Sequence, residues 1–263
     1  MTDALQRARD ARGVVTLTMN RPEVRNAFGP DLMAALSDAF AELGKDDTVR
    51  VIVLTGDGPT FSAGADLNWM RSMVDYTYDE QVADSHRLDA LFAAIQTFPA
   101  PVVARVNGHA LGGATGLIAC ADVAVAVRGA KFGFTEARLG LAPAVISTYV
   151  LPKIGLSHAR RYFLSGQVFD TDAAAAIGLV HEVCEPDDLD GRTAAVVADL
   201  LAAGPNAQRA IKALIPQVAA AETRQDAVAI TVPTIARLRV SDEGQAGMQA
   251  FFDKRPAPWV PQD

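Results

Sequence analysis

Apolar and β-branched residues occur in short runs that end at glycine or another turn residue, a pattern typical of buried β-strands. These runs predict strands over 13–20, 50–58, 100–108, 121–129, 131–134 and 178–184. Helical spacing of apolar residues predicts an amphipathic helix over 29–47, with its apolar positions at Leu32, Leu36, Phe40 and Leu43. A second long helix is predicted from Asp79 to Phe98. Strands that alternate with helices indicate an α/β core with crossover connections.

The pattern changes after about residue 186, where the strand-like runs stop. The remaining chain predicts successive helices over 188–204, 206–221 and 223–253. We therefore expect residues 1–200 to form the α/β core and residues 201–263 to form a C-terminal helical region. That region would pack on the core or on a neighbouring subunit.

Composition and charge narrow the class of protein. Half of the 263 residues are apolar, as in ordinary globular proteins, and the net charge of −7 argues against binding to nucleic acid or to an anionic membrane. No apolar run reaches the ~20 residues of a membrane span, and the polar start "MTDALQRARDARG" predicts no secretory signal. Cys120 and Cys184 lie in apolar contexts and are expected to be buried thiols. We expect a cytoplasmic protein.

Several familiar chemical motifs are missing from the sequence. It contains no phosphate-binding loop of the G-x-x-x-x-G-K-[ST] type, no dinucleotide-binding G-x-G-x-x-G and no G-x-S-x-G nucleophile elbow. The four histidines do not have the spacing of metal ligands, and no metal site is predicted.

Two glycine-rich turns and one acidic stretch, each after a predicted strand, carry the candidate chemistry. They are "FSAGADLNWM" (61–70), "HALGGATGLIACAD" (109–122) and "KFGFTEARLGLAPAVIS" (131–147). Small residues such as Gly64, Gly112 and Gly113 let backbone N–H groups approach a ligand closely. Two such amides that converge on one oxygen form an oxyanion hole. The alternative is that these segments are only tight turns and sites of close helix packing.

These segments are similar to those of the enoyl-CoA hydratase/isomerase (crotonase) superfamily. The similarity covers nearly the whole chain in order, at "NRPEVRNAF" (20–28), "FSAGADLNWM" (61–70), "VNGHALGGATGL" (106–117), "FGFTEARLGLAP" (132–143) and "FFDKRP" (251–256). The resemblance implies an α/β fold, a spiral of ββα units, with a C-terminal helical trimerisation region. It also implies a homotrimer or a dimer of trimers.

The resemblance also implies a set of site residues. A thioester carbonyl of an acyl-CoA would lie between the backbone amides of Ala65 and Gly113, which stabilise an enolate. Glu136 would be the catalytic acid/base, and Met70 would line the acyl pocket. Residues matched to CoA binding are Arg25, Ala63, Asp66, Leu67, Phe251 and Lys254. Coenzyme A is part of the substrate, and no separate cofactor is expected.

Two departures from the family pattern affect the reaction. Many hydratases of this family use two glutamates, and the first of them falls on Gly116, which cannot transfer a proton. A stretch that is usually glycine-rich reads "PAVIS" at 143–147. Water addition by two glutamates therefore does not carry over to this chain unchanged.

Two reactions suit Glu136 acting alone. In hydration it activates water and relays a proton to C2, whereas in isomerisation it moves a proton from C2 to C4. Local similarity to bacterial methylglutaconyl-CoA hydratases, at "EARLGLAPAVISTYVLPKIG", "GGATGLIACAD" and "ARRYFLSG", favours hydration. A third alternative is an acyl-CoA-binding protein without efficient chemistry. A substrate with its own carboxylate would need a cation, and the candidates are Arg71, Arg87 and Arg138.

Overall fold

Buried β-branched runs form the larger of two sheets in the computed structural model, which describes residues 4–261. The strands in this part of the chain are β1 (Leu5–Arg9), β2 (Val14–Met19), β3 (Val51–Gly56), β4 (Thr60–Ser62), β5 (Val102–Val106), β6 (His109–Leu111), β7 (Val123–Val127), β8 (Lys131–Gly133), β9 (Val168–Asp170) and β10 (Glu182–Cys184). The large sheet has the order β1-β2-β3-β5-β7-β10, and the small sheet has the order β4-β6-β8-β9. Pairing is parallel except at the edges, where β1 is antiparallel to β2 and β9 is antiparallel to β8.

Helices cover the sheets and form the C-terminal part of the chain. They are α1 (Pro30–Leu43), α2 (Leu67–Ser72), α3 (Tyr78–Gln96), α4 (Gly113–Cys120), α5 (Ala144–Ser165), α6 (Thr171–Ala176), α7 (Leu189–Ala202), α8 (Pro205–Ala219), α9 (Arg224–Val240) and α10 (Asp242–Phe252). Helix α5 is interrupted at Gly155, whose φ of 69° and ψ of 165° are not helical. The two long helices predicted in the first hundred residues correspond to α1 and α3.

Strand pairs and helices repeat in a regular order through the core. In each of the pairs β3/β4, β5/β6 and β7/β8, the first strand joins the large sheet and the second joins the small sheet. A helical segment follows each pair. After the first two pairs the chain returns to the large sheet, and after β7/β8 it continues through α5 to β9 in the small sheet. This is the repeated ββα arrangement that the resemblance implies, and the α/β fold class is confirmed.

The strands that the sequence did not predict are short or polar. β1 is an edge strand in which only Leu5 is buried, so its hydropathy pattern resembles that of a loop. β4, β6 and β9 have three residues each, too few for a period-2 pattern to emerge. Helix α4 begins in the glycine-rich stretch that was predicted only as a turn, and burial against its neighbours overrides the poor helix propensity of glycine.

The segment after β10 contains only helices among the described residues, as predicted. The predicted boundary at residue 200 falls within α7, which packs against β3, β5 and β7. Arg50 joins this segment to the core at two places. Its guanidinium donates to the carbonyls of Leu201 and Ala203 near the end of α7, and to the carbonyl of Trp259 after α10. No helix within residues 4–261 combines the length and the apolar character that crossing a membrane requires.

Helix α4 is the central helix of the core, and α3 and α5 both pack on it. The three helices are tightly packed at Gly116, where a Cβ atom would lie 2.6 Å from Ile146 Cγ2 and 2.9 Å from Phe92 Cζ. Contacts this short are repulsive, so any side chain at Gly116 must displace Ile146 or Phe92. The bare backbone at this position lets the three helices meet.

We predict that Gly116→Ala lowers the free energy of unfolding by about 1–3 kcal/mol, through overpacking between the three helices. Gly191 is a matched control, since it is also helical but a Cβ there would meet nothing within 4 Å. Gly191→Ala is expected to be neutral or to stabilise by about 0.4–1 kcal/mol. Urea unfolding at fixed protein concentration measures both values, and equal effects would contradict the packing described at Gly116.

Candidate active site

The three candidate segments begin in three neighbouring parallel strands of the small sheet. Strand β6 lies between β4 and β8, with Ser62 opposite Ala110 and Leu111 opposite Gly133. The carboxyl ends of parallel strands meet at one edge of a sheet, where binding crevices of α/β proteins commonly form. The turn at 63–66, the start of α4 and the acidic stretch at 134–136 therefore converge.

The first two segments touch through their backbones. Gly64 has a φ of 87°, and a Cβ atom there would lie 2.5 Å from the Leu111 carbonyl oxygen and 3.7 Å from Gly112 Cα. Only glycine combines this left-handed conformation with so close an approach. The N–H of Gly112 donates to the carbonyl of Gly133 at 2.8 Å, which ties the second segment to the third strand.

Two backbone amides at this edge have no acceptor among the described residues. The N–H of Ala65 lies between two bonds of a short parallel bridge, in which Phe28 donates to Gly64 and Asp66 donates to Phe28. Its own N–H makes no hydrogen bond within residues 4–261. Gly113 is the first residue of α4, where amides have no acceptor inside the helix. Both amides are available to a ligand oxygen.

Glu136 lies beside the start of α4. It belongs to the 3₁₀ turn Thr135–Leu139 after β8, and its Oε1 lies 3.6 Å from the position of a Cβ on Gly112. Its Oε2 is buried without a hydrogen-bond partner, the one carboxylate oxygen in this condition among residues 4–261. Burial raises the pKa of Glu136 above its ordinary value, against a smaller opposing effect of its own backbone N–H. A carboxylate with a raised pKa is a stronger base than an ordinary one, which suits a group that accepts and returns a proton.

The matching position on α4 has no acid/base group. The space into which a side chain at Gly116 would extend is filled by Ile146 and Phe92, both apolar. The other carboxylate of the converging segments, Asp66, accepts hydrogen bonds and pairs with Arg21 at 3.0 Å. Glu136 is therefore the carboxylate here that is left without a protein partner.

Comparison with known proteins agrees with this geometry. A model of the enoyl-CoA hydratase/isomerase family matches residues 9–262. The chain belongs to this family. The sequence resemblance is thereby confirmed.

Relatives match over nearly the full chain. A putative enoyl-CoA hydratase of Thermus thermophilus is 31% identical over 92% of this chain and 96% of its own length. The human mitochondrial methylglutaconyl-CoA hydratase is 34% identical over 93% of this chain and 73% of its own. Among solved structures, a putative enoyl-CoA hydratase/isomerase (crotonase) of Legionella pneumophila is 39% identical with a TM-score of 0.92, covering 98% and 100% of the two chains.

The residues matched to CoA binding in the enoyl-CoA hydratase/isomerase family fall into two groups. Arg25, Ala63, Asp66 and Leu67 lie together, because Ala63 N–H donates to the carbonyl of Arg25 at 2.9 Å. Leu67 is 71% exposed at the start of α2, and Met70 follows on the same helix, half-buried. Phe251 and Lys254 lie instead at the exposed end of α10, which packs on α8 and α9. No hydrogen bond or ion pair joins the two groups among residues 4–261.

Asp66 has a structural role in the loop before α2. Its carboxylate caps the helix by accepting from the backbone N–H groups of Asn68 at 2.8 Å and Trp69 at 3.4 Å. Burial by itself would raise the pKa of Asp66, but these hydrogen bonds and the Arg21 guanidinium together lower it. Asp66 is therefore ionised and satisfied by the protein, in contrast to Glu136.

The three cations considered for a substrate carboxylate have different surroundings. Arg138 lies with its stem against Gly166 at the end of α5, 2.8 Å from the position of a Cβ there. Arg87 pairs with the buried Asp84 at 3.4 Å. Arg71 is exposed on α2 and contacts Asn68 Oδ1 at 3.5 Å. The structure joins none of the three to Glu136 by a contact among the described residues.

The segment "NRPEVRNAF" holds supporting residues that the sequence analysis did not single out. Asn26 is fully buried with a φ of 52°; its amide donates to the carbonyls of Asp57 and Thr60, and its oxygen accepts from Arg21 N–H. This network fixes the segment to the start of β4. An asparagine among turn residues is a signal for positive φ, which asparagine tolerates better than most residues.

We predict that Glu136→Gln makes the fold more stable near pH 8. Because the folded chain raises the pKa of Glu136, the ionised carboxylate costs stability above that raised pKa. The cost disappears as the pH falls below the ordinary glutamate value of about 4.3. Urea unfolding at several pH values should therefore give a stability gain that shrinks on acidification.

The exposed Glu222, in the turn between α8 and α9, provides the control for this measurement. Because the side chain of Glu222 is exposed, Glu222→Gln should change the free energy of unfolding little. A gain from Glu136→Gln that stayed constant or grew toward acid pH would contradict the burial of an ionisable carboxyl at this position.

Proposed function

We propose that the protein stabilises the enolate of an acyl-CoA thioester. The amides of Ala65 and Gly113 would donate to the thioester oxygen, and each such donor is worth about 3 kcal/mol to the transition state. One observation carries the proposal. Two amides that lack acceptors and the unpartnered Oε2 of Glu136 occur at the same edge of the small sheet. Enolate chemistry at C2 requires hydrogen-bond donors to the thioester oxygen and a group that carries a proton to or from C2.

The preferred reaction is hydration of a 2-enoyl-CoA. Glu136 takes a proton from water, the water oxygen bonds to C3, and the C2–C3 π electrons move to the thioester oxygen as an enolate. The enolate then collapses, and C2 takes the proton from Glu136, which returns to its ionised form. Only substrate, water and Glu136 exchange atoms in these steps.

Membership of the family and the similarity to a methylglutaconyl-CoA hydratase support this reaction. A branched, carboxylated enoyl-CoA such as 3-methylglutaconyl-CoA is the favoured substrate.

Isomerisation of a 3-enoyl-CoA is the second candidate. Here Glu136 removes a proton from C2, the double bond moves from C3–C4 to C2–C3, and C4 takes the proton back from Glu136. The apolar side chains of Ile146 and Phe92 at Gly116 favour this reaction, because it needs one base and no bound water. Both reactions share the same enolate and the same donors.

Subunit association would complete the CoA site. Apolar side chains are exposed on α8, α9 and α10, at Ile211, Ile215, Val232, Ile235, Phe251 and Phe252. We propose that these helices pack against neighbouring copies in a trimer or a dimer of trimers. Lys254 would then meet the CoA phosphates bound by a neighbouring chain.

We predict that Glu136→Gln lowers kcat by about 10²- to 10⁴-fold, the usual contribution of a general acid/base. Affinity for a saturated acyl-CoA should stay within a few-fold, because Gln keeps the shape of the side chain. Kinetics and calorimetric titration measure the two quantities, with Glu222→Gln as a control that retains both. Full turnover by Glu136→Gln would overturn both reactions, and acyl-CoA binding without turnover by the unmodified protein would indicate a binding protein.

A panel of CoA esters separates hydration from isomerisation. We expect crotonyl-CoA or 3-methylglutaconyl-CoA to lose the absorbance of the conjugated enoyl thioester as water adds. If the protein is an isomerase, 3-hexenoyl-CoA will instead gain that absorbance. Conversion of 3-hexenoyl-CoA alone would rule out the hydratase.

A further inference from the structure

We propose that Phe28 is a positioning residue that sets the separation of the two amide donors. Its backbone is bonded to the residues on either side of Ala65, and its ring lies against Gly113. One residue therefore touches both halves of the proposed oxyanion hole, although it comes from neither glycine turn. The inference rests on the proposed function, since it concerns the geometry of those two donors.

The backbone of Phe28 holds the first donor. Phe28 N–H donates to the carbonyl of Gly64 at 2.8 Å, and the carbonyl of Phe28 accepts from Asp66 N–H at 3.0 Å. These bonds leave the intervening N–H of Ala65 directed away from Phe28, as in any parallel bridge. The orientation of the Ala65 donor is therefore fixed by the backbone of Phe28.

The ring of Phe28 limits the second donor. A Cβ atom on Gly113 would lie 2.8 Å from Phe28 Cε2 and 2.9 Å from Phe28 Cζ, so the ring edge packs directly on the backbone of Gly113. Phe28 is 2% exposed, which leaves the ring little freedom to withdraw. The first residue of α4 cannot move toward Phe28 without displacing this ring.

A second side chain ties the backbone of Phe28 to the same turn. Arg21 donates from Nη1 to the carbonyl of Ala27 and from Nη2 to Asp66 Oδ2, both at 3.0 Å. The guanidinium thus links the residue before Phe28 with the residue after Ala65. These hydrogen bonds hold the backbone of Phe28 in place. The rigid ring then fixes the distance between that backbone and Gly113.

Donor separation matters because hydrogen bonds in a transition state are sensitive to displacement. A misplacement of about 1 Å can cost about 100-fold in rate, even when the change is remote from the reacting atoms. A flexible aliphatic side chain at Phe28 would remove the rigid ring edge from Gly113 while keeping the backbone bonds to Gly64 and Asp66. Catalysis would fall, whereas binding of the CoA portion would remain.

The test compares Phe28→Leu and the more conservative Phe28→Met with Phe40→Leu. Phe40 is also 2% exposed, but it lies on α1 against Phe98 and outside the site. We expect both Phe28 variants to lower kcat by about 10- to 100-fold with KM within a few-fold, on whichever CoA ester the unmodified protein converts. Phe40→Leu should lose stability comparably and keep kcat.

A spectroscopic measurement follows the donors without depending on the reaction. Butyryl-CoA labelled with ¹³C at the thioester carbonyl is bound to each protein, and the carbonyl stretch is recorded by infrared difference spectroscopy. Two hydrogen bonds should lower the stretching frequency in the unmodified protein and in Phe40→Leu. In Phe28→Leu and Phe28→Met the frequency should return part of the way to that of free butyryl-CoA.

The outcomes test the oxyanion hole and the role of Phe28 separately. A frequency in the unmodified protein equal to that of free butyryl-CoA would overturn the oxyanion hole, and the inference with it. A lowered frequency that stays equally low in a folded Phe28 variant, with kcat unchanged, would overturn the role of Phe28 alone. If Phe28→Leu does not fold, Phe28→Met decides the matter.

Discussion

The site depends on one backbone contact between two neighbouring turns. Gly64, at a φ of 87°, lies so close to the Leu111 carbonyl that a Cβ atom would be 2.5 Å from its oxygen. Parallel pairing of β4 with β6 brings the turns to the same edge, but only the absence of a side chain lets them touch. Without this contact, the amides of Ala65 and Gly113 would belong to two separate turns and could not serve one oxygen in the way we propose.

Two carboxylates near this edge have opposite environments. Asp66 receives backbone N–H bonds and the Arg21 guanidinium, which together lower its pKa despite burial. Glu136 is buried with an unpartnered oxygen, and its pKa is raised. Environments that push two acids in opposite directions commonly distinguish a structural carboxylate from one that transfers protons. The unsatisfied oxygen costs stability, and that cost is consistent with a position reserved for substrate.

The sequence predicts the parts of this molecule whose side chains carry a strong pattern. Val51–Gly56 is buried at every residue and reads as a strand, and the spacing from Leu32 to Leu43 reads as a helix. Strand β6 and helix α4 were missed, since their conformation comes from pairing and burial rather than from local preference. Glu136 and the two donors were found through the resemblance. The contact of Phe28 with Gly113 joins residues 85 positions apart, and no local pattern encodes it.

The two departures from the family pattern, at Gly116 and in "PAVIS", are one physical feature. Ile146 comes from that stretch, and its Cγ2 occupies the space next to Gly116 that a longer side chain would need. Phe92 closes the same space from α3. A glutamate at 116 would therefore bury a charge among apolar atoms as well as clash with them, and both effects are strongly unfavourable. The single-glutamate arrangement is thus supported by the packing of three helices, and a second glutamate would require changes at 146 and 92 together with the change at 116.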